Sequence, residues 1–377
     1  MIVLGAPRLG FQGGVERHVF DLAGGLRRRG HRVTLVHGDG EGRDGAAYAR
    51  AFDAVETVPR ASALLRGAKA VYLHKLEDEA LLDAVPVGVK LAVAVHDHDA
   101  TCVRSHRYVP LSRTPCTRAP GVDCILQGCV VVRRRGSLVP LTLRSPFALA
   151  RATRSLAAQA LLVACSEFLR GTLVDAGVPP ERVEVVRPVP PEDSTPLVDV
   201  PSAPIFAFVG QIVRGKGLDL LLEALASLPD ATLLVAGTGP SLAEEQSRAQ
   251  RLGLGARVSF LGAVAPDRVR DIYDRARVVV VPSRWPEPFG MIGVEAMRRR
   301  RLVVGARHGG IPEWLTDGVN GVAFDPCSVE DLTRALRLAV GHPRYDALVA
   351  AGEARAHGEF AFEAMVDRVE RVLGVTG

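Results

Sequence analysis

Short runs rich in Val, Leu and Ala alternate with segments of helical periodicity along the whole 377-residue chain, and prolines interrupt that alternation once. Before the interruption the strand-like runs are IVLG (2–5), VTLVHG (33–38), AVYLH (70–74), LAVAVHD (91–97), ALLVACS (160–166) and VEVVRPV (183–189). Between them Val15, Val19, Leu22 and Leu26 recur every three to four residues, which predicts an amphipathic helix closing at Gly30. Between Pro188 and Pro204 the chain reads PVPPEDSTPLVDVPSAP, a stretch without period and the signature of a linker. The alternation then restarts with IFAFVG (205–210), TLLVAG (232–237), RVSFLG (257–262), VVVVPS (278–283), LVVGAR (302–307) and GVAF (321–324). Strands that alternate with helices pair in parallel and bury both faces. The expected fold is therefore α/β, with two doubly wound domains facing across a cleft. Ligands of such sheets lie outside the carboxyl ends of the strands. The expected boundaries are 1–190 for the acceptor-side domain, 191–204 for the linker and 205–355 for a donor-binding domain. A last helical stretch, 356–377, carries Phe362, Met365, Val366, Val369 and Leu373 on one face and is expected to pack back on the first domain.

Charge separates the halves. Met1–Pro190 holds 26 Lys and Arg against 18 Asp and Glu, while the remainder holds 21 against 24. Between Ala100 and Ala160 ten basic residues face one acid, Asp123. A basic first half suits an anionic membrane surface or a phosphorylated acceptor, and equally a plainly solvated basic face. Nucleic acid is not expected, because only 5% of the chain is aromatic and no stacking platforms are interleaved with the charge. No run of about 18 apolar residues predicts a spanning helix, and the opening MIVLGAPRLG does not read as a secretory signal. A cytoplasmic protein, peripheral at the inner face of the membrane, is the expectation.

Three loops have the chemistry of phosphate binding. The segment from Glu287 to Glu295, EPFGMIGVE, follows the VVVVPS run and should open a helix near Gly290. A bare glycine there lets first-turn amides approach a phosphate, with the helix dipole adding attraction. Glu287 precedes the turn, where a carboxylate can accept from sugar hydroxyls. Glu295 lies five residues into the helix from Gly290, about 7.5 Å along the axis, a span comparable to that from a distal phosphate to a ribose diol. In the second loop, Gly210 to Lys216 spells G-x-x-x-x-G-K between a strand and a helix. Gly217 stands where a nucleotide triphosphatase has Ser or Thr for magnesium, and no later strand ends in Asp, so that activity is excluded. Arg214 and Lys216 can neutralise a diphosphate without a metal, and no cofactor is expected. In the third loop, GFQGGVERHVF, Gly13 and Gly14 open the first helix, either as a second anion site or as a simple tight turn.

These residues, in this order, resemble the retaining family-4 glycosyltransferases of GT-B architecture, built from two Rossmann-like domains. The resemblance runs from GGVERHVFDLAGGLRRRGHRVTLV through VHD (95–97), ACSEFLRGTLVDAGV (164–178), the FVG…GKG loop, LLVAGTGP (233–240) and EPFGMIGVEAM (287–297) to GGIPEWLTDGVNGVAF (309–324). It implies a hexosyltransferase (EC 2.4) acting on a nucleotide-diphosphate sugar, UDP- or GDP-linked, in polysaccharide or glycolipid biosynthesis. The acceptor would be a glycan, a lipid-linked sugar or a small molecule. Catalytic roles fall on Glu287, which would contact the donor sugar, and on His96, which matches a histidine the family places near the reacting sugar. The amides of Phe289, Gly290 and Met291 would contact sugar and phosphate, Glu295 the ribose, Arg214 and Lys216 the diphosphate, and Gly14 the diphosphate from the other domain. Three features depart from the family pattern: Gln211 follows FVG where Arg is frequent, VVRPVP (185–190) lacks Asn-Gly, and RRRR (298–301) follows EAM in place of small residues. An epimerase or hydrolase of the same fold, or a non-catalytic nucleotide-sugar binder, would share the donor pocket.

Cys102, Cys116, Cys124 and Cys129 crowd into the basic stretch after His96. Their spacing lacks a C-x-x-C pair, which leaves free thiols, a structural metal and disulfides all open. The D-x-D within His96–Asp99 carries little weight as a metal site, since the phosphate loops already account for the charge.

Overall fold

The structure, a computed structural model, describes residues 1–75, 79–112, 114–133 and 141–375. The chain divides into two compact units. The first comprises Met1–Ser105, Arg118–Glu192 and Ala361–Gly377, and the second His106–Thr117 and Asp193–Phe360.

In the first unit the strands are β1 (Ile2–Leu9), β2 (Val33–Glu41), β3 (Ala54–Thr57), β4 (Ala70–His74), β5 (Lys90–Val95), β6 (Val131–Arg133), β7 (Leu141–Leu143), β8 (Leu161–Ala164) and β9 (Val183–Val185). Seven of them form one sheet in the order β3-β2-β1-β4-β5-β8-β9, while β6 and β7 pair only with each other. All pairs in the larger sheet are parallel, with Ile2 opposite both Val33 and Ala70. β3, AVET, was not legible because no apolar run marks it; all four of its residues are half-buried. Val3, Leu4, Val71, Leu73 and Leu162 are wholly buried, as the two-sided cover of a parallel sheet requires. The helix Gly14–Arg28 lays Val19, Leu22 and Leu26 onto that core. The helix Phe362–Leu373 packs on the same helix so closely that a Cβ on Gly25 would stand 2.8 Å from Val366 Cγ2. Arg29 anchors the contact, bonding Glu363 and Glu370 at 2.7 Å each and also Asp367.

In the second unit β10 (Ile205–Val209), β11 (Thr232–Ala236), β12 (Val258–Gly262), β13 (Val278–Val281), β14 (Leu302–Ala306) and β15 (Val322–Phe324) form a parallel sheet in the order β12-β11-β10-β13-β14-β15. From Asp193 the proline-rich stretch belongs to this unit. The arginines that depart from the family pattern hold it there. Arg299 donates to the carbonyls of Thr195 and Pro196 at 2.9 and 3.0 Å and forks onto Asp274 at 2.9 and 2.6 Å. Arg301, fully buried, donates to the carbonyls of Tyr273 and Asp274.

In each sheet the strand order reverses beside the first strand of the unit, between β1 and β4 and between β10 and β13. At such a point the loops leaving the two neighbouring strands diverge to opposite faces and open a crevice at their carboxyl ends. All three phosphate loops leave one of these strands: GFQGG leaves β1, the GKG loop leaves β10 and EPFG leaves β13. No helix among the described residues is long and apolar enough to cross a membrane.

Candidate active site

In the second unit the crevice between β10 and β13 joins residues 71 positions apart. Lys216 Nζ lies 2.6 Å from Glu287 Oε1. Ser283 donates to the same oxygen at 2.5 Å and Trp285 Nε1 at 3.2 Å, so three donors converge on Oε1. No donor among the described residues meets Oε2. Burial alone would raise the Glu287 pKa, but the Lys216 charge and the three hydrogen bonds outweigh it, and the carboxyl is held below its ordinary value. Glu287 is therefore a carboxylate at neutral pH, with one oxygen saturated and one left for a ligand. Lys216 also stands over the Trp285 ring, 5.4 Å from its centroid.

Local backbone fixes the two loops. Gly217 has φ +72°, and a Cβ on it would stand 1.9 Å from the Pro282 carbonyl oxygen. The position at which a triphosphatase carries its metal-binding hydroxyl is thus closed to any side chain here. Gly290 caps the helix Met291–Arg298 at φ +88° and has no side chain to shield the first-turn amides. Behind the turn, Trp314 Nε1 donates to the Phe289 carbonyl at 2.7 Å and Gly310 N to the Glu287 carbonyl at 2.7 Å. His308 Nε2 donates to the Ser283 carbonyl at 2.8 Å. Burial keeps its pKa below the usual imidazole range, so it is neutral at pH 7. Glu295, one turn into the helix, accepts from the buried Tyr273 hydroxyl at 2.6 Å. Arg214 is exposed on the turn Arg214–Lys216; its carbonyl accepts from Gly217 N at 3.1 Å, and its guanidinium makes no hydrogen bond or ion pair among the described residues.

In the first unit Gly14 begins its helix beyond β1, and Glu16 turns back to accept from Gly13 N at 3.0 Å. One turn on, His18 meets two more imidazoles. Its ring centroid is 5.5 Å from those of both His74, the last residue of β4, and His96, one residue past β5. His74 Nδ1 and His96 Nε2 are 2.9 Å apart, so one donates to the other. His74 Nε2 is buried without a partner. An orphaned lone pair is tolerated more readily than an orphaned N–H, which assigns the shared proton to His74 Nδ1 and the proton of neutral His96 to its Nδ1. Burial lowers all three pKa values, that of His18 to about 4; His96 and His18 push the same way at His74, and His18 and Lys75 at His96.

Sequence reasoning missed Ser283, Trp285, Tyr273, His308, His18 and His74. Ser283 and Trp285 sat in plain view within VPSRWPEPFG, yet nothing in that spelling points three donors at one oxygen. None of Cys102, Cys116, Cys124 and Cys129 is in a disulfide. Among the described residues no three His, Cys, Asp or Glu side chains gather closely enough to hold a metal.

Two parallel α/β units, each with its loops at a strand-order reversal, are the architecture of the GT-B fold. Residues 12–189 match the model of Glycosyltransferase Family 4 and residues 192–354 that of Glycosyl transferases group 1. The chain belongs to this family. It is 37% identical over 179 residues to a D-inositol 3-phosphate glycosyltransferase of Rhodococcus jostii, covering 44% of this chain and 39% of that protein. The Mycolicibacterium smegmatis protein of the same name is 39% identical over 132 residues, covering 34% and 30%. The matched region thus spans well under half the length of these curated relatives. Among solved structures, Anabaena Alr3699/HepE in complex with UDP and glucose superposes over 100% of both chains with a TM-score of 0.75 at 19% identity. WaaG, a glycosyltransferase involved in lipopolysaccharide biosynthesis, does so over 99% and 100% at 0.69 and 18%. At those identities the likeness is one of fold.

Proposed function

We propose that the protein transfers a hexosyl group from a nucleotide-diphosphate sugar to a hydroxyl acceptor, without a metal and with retention at the anomeric carbon. The observation that carries this reading is the Glu287 carboxylate, fixed by Lys216, Ser283 and Trp285 immediately before a glycine-capped helix start. In this reading Glu287 accepts from donor-sugar hydroxyls through Oε2, and the amides of Phe289, Gly290 and Met291 take sugar and phosphate oxygens. Arg214 and Lys216 meet the diphosphate, where negative charge grows as the nucleotide leaves, so their attraction is greatest in the transition state. Glu295 takes the ribose, with Tyr273 fixing one of its oxygens. The family resemblance assigns Gly14 to the diphosphate and His96 to the donor sugar, and the proposal carries both roles. The UDP and UDP-glucose held by HepE, whose fold this chain shares, support a nucleotide-sugar donor. We further propose that the basic first half works at an anionic membrane on the cytoplasmic side.

A thermal-shift series with UDP, GDP and ADP, then with their sugars, tests the donor. A bound nucleotide present at about 100 times its Kd adds about 2.7 kcal/mol to stability. One nucleotide should therefore raise Tm while Arg214→Ala and Lys216→Met variants lose that rise. Donor consumption that requires an added acceptor would support transfer. Consumption indifferent to every acceptor would move the reading to a hydrolase or epimerase, and no response to any nucleotide would refute it.

A further inference from the structure

In the second unit β13 and β14 run side by side in parallel, with Val281 opposite Gly305, so the segments leaving their carboxyl ends, 282–290 and 307–310, emerge together. The second segment grips the first on both sides of the stretch that carries the Glu287 carboxylate. At one end His308 Nε2 donates to the Ser283 carbonyl at 2.8 Å, and at the other Gly310 N donates to the Glu287 carbonyl at 2.7 Å. Between them Gly309, at φ +64°, passes so close that a Cβ on it would stand 2.4 Å from the Glu287 carbonyl oxygen. The Gly309 and Gly310 contacts are made by backbone. The His308 contact is made by a side chain, and it belongs to this sequence.

The peptide that His308 meets is held at both of its polar ends. Its carbonyl, that of Ser283, takes the imidazole, and its N–H, that of Arg284, donates to the Gly215 carbonyl at 2.8 Å. One peptide plane thus ties together the loops that leave β10, β13 and β14. A carbonyl can only accept, so the proton of the imidazole sits on Nε2, and Nδ1 is a buried lone pair with no hydrogen-bond partner among the described residues. The Glu287 charge reaches the ring, pulling its pKa up against the burial that lowers it. Ser283 is itself buried, and of the three donors on Glu287 Oε1 its hydroxyl stands closest, at 2.5 Å. A hydroxyl on a one-carbon stem has a single rotor, so the backbone beneath it sets where it can aim. We infer that His308 is a positioning residue: by pinning the peptide between Ser283 and Arg284 it aims the Ser283 hydroxyl at Oε1 and so leaves Oε2 of Glu287 directed at the donor sugar. This deepens the transferase reading and rests on it.

The test is calorimetric titration of the full chain with UDP and UDP-glucose, and with GDP and GDP-mannose, read for the pair that binds as the ratio of its two dissociation constants. His308→Leu keeps most of the ring's volume without a donor. His308→Asn is too short to reach the carbonyl and serves with the same readings if the leucine variant fails to fold. Either should weaken the nucleotide sugar about tenfold and leave the bare nucleotide within about twofold. His308→Gln, whose amide reaches about as far as Nε2, should restore most of the loss. In a Glu287→Gln background His308→Leu should cost nothing further, because the group it aims is already altered. A folded His308→Leu or His308→Asn protein with the wild-type ratio, an equal loss for nucleotide and nucleotide sugar, or the same loss with and without the Glu287 carboxylate overturns the inference. If neither pair binds, or if Glu287→Gln alone leaves the ratio unchanged, the donor reading of the site fails and the inference with it; that failure shows in proteins whose His308 is intact, which separates the two.

Discussion

Replacing Lys216 with Met keeps most of the side-chain volume and removes only the charge that Glu287 meets at 2.6 Å. Glu287 is then a carboxylate with 5% of its side chain exposed and no counter-ion. Stripping one partner from a buried pair costs about 3–5 kcal/mol. Here Lys216 is 27% exposed and Ser283 and Trp285 still donate, which brings the expected loss to about 2–3 kcal/mol. For a unit of this size that is a drop of about 5–10 °C in Tm. The assay is unusually clean, because the only two tryptophans, Trp285 and Trp314, both lie in the second unit, and intrinsic fluorescence follows that unit alone. Glu287→Gln should cost less, since the amide oxygen still accepts from Ser283 and Trp285. The double variant should recover about 2 kcal/mol of the summed losses. A Lys216→Met protein melting within about 2 °C of wild type, or a cycle additive within about 0.5 kcal/mol, would refute the account of the pair.

The remaining expectations concern the histidines, the arginines and Gly217. His18 is fully buried with its pKa lowered from 6.5 to about 4, so the unfolded chain takes its proton first as pH falls. Stability of the first unit is intact above pH 6.5, declines below it and levels off beneath pH 4; at pH 5 the loss from His18 is about 2 kcal/mol. His74 and His96 act in the same direction. Urea melts followed by hydrogen exchange at pH 7 and 5 check this, and a His18→Gln protein with an unchanged pH slope would exclude His18 as a cause. Arg299→Met strips Asp274 of its closer partner, leaving Arg301 at 3.8 Å, and Thr195 and Pro196 of their donor, for an expected loss of about 2–3 kcal/mol and faster proteolysis between residues 193 and 204. Wild-type cleavage kinetics would count against that role. Gly217→Ser, which restores the spelling of a triphosphatase loop, should destabilise the second unit by about 2 kcal/mol or more by fluorescence melting, because the residue must hold φ +72° against the Pro282 carbonyl. A neutral result would mean the loop can rearrange.

The sequence made the architecture legible because parallel strands, buried on both faces, print themselves as apolar runs. AVYLH at 70–74 is β4 residue for residue, and most of the others differ only at their ends. What stayed hidden has physical causes. β6 and β7 expose much of their surface and so lack a buried pattern. RRRR at 298–301 stands where the family pattern has small residues, and nothing in its spelling shows that Arg298, Arg299 and Arg301 are buried, their donors taken by backbone carbonyls and Asp274. Local spelling gave the phosphate loops their glycines and cations. The meeting of Lys216 with Glu287, and of His74 with His96, is a consequence of strand order, which no single segment encodes.

The titration states limit what each group can do. Glu287 is held ionised, so at neutral pH it can accept hydrogen bonds and offset positive charge but has no proton to give. His96 is held neutral, and with Nε2 occupied by His74 it presents a single donor, Nδ1–H. Neither group is poised near pH 7, where a general acid or base works best. In the proposed reaction, proton transfer by these side chains would therefore not carry the barrier reduction. That leaves fixed charge and dipole: Lys216, Arg214 and the glycine-capped helix start, all at the strand-order reversal of one sheet. In the proposed transfer such groups would act where negative charge appears on a leaving diphosphate, a role that asks for no acid–base pair.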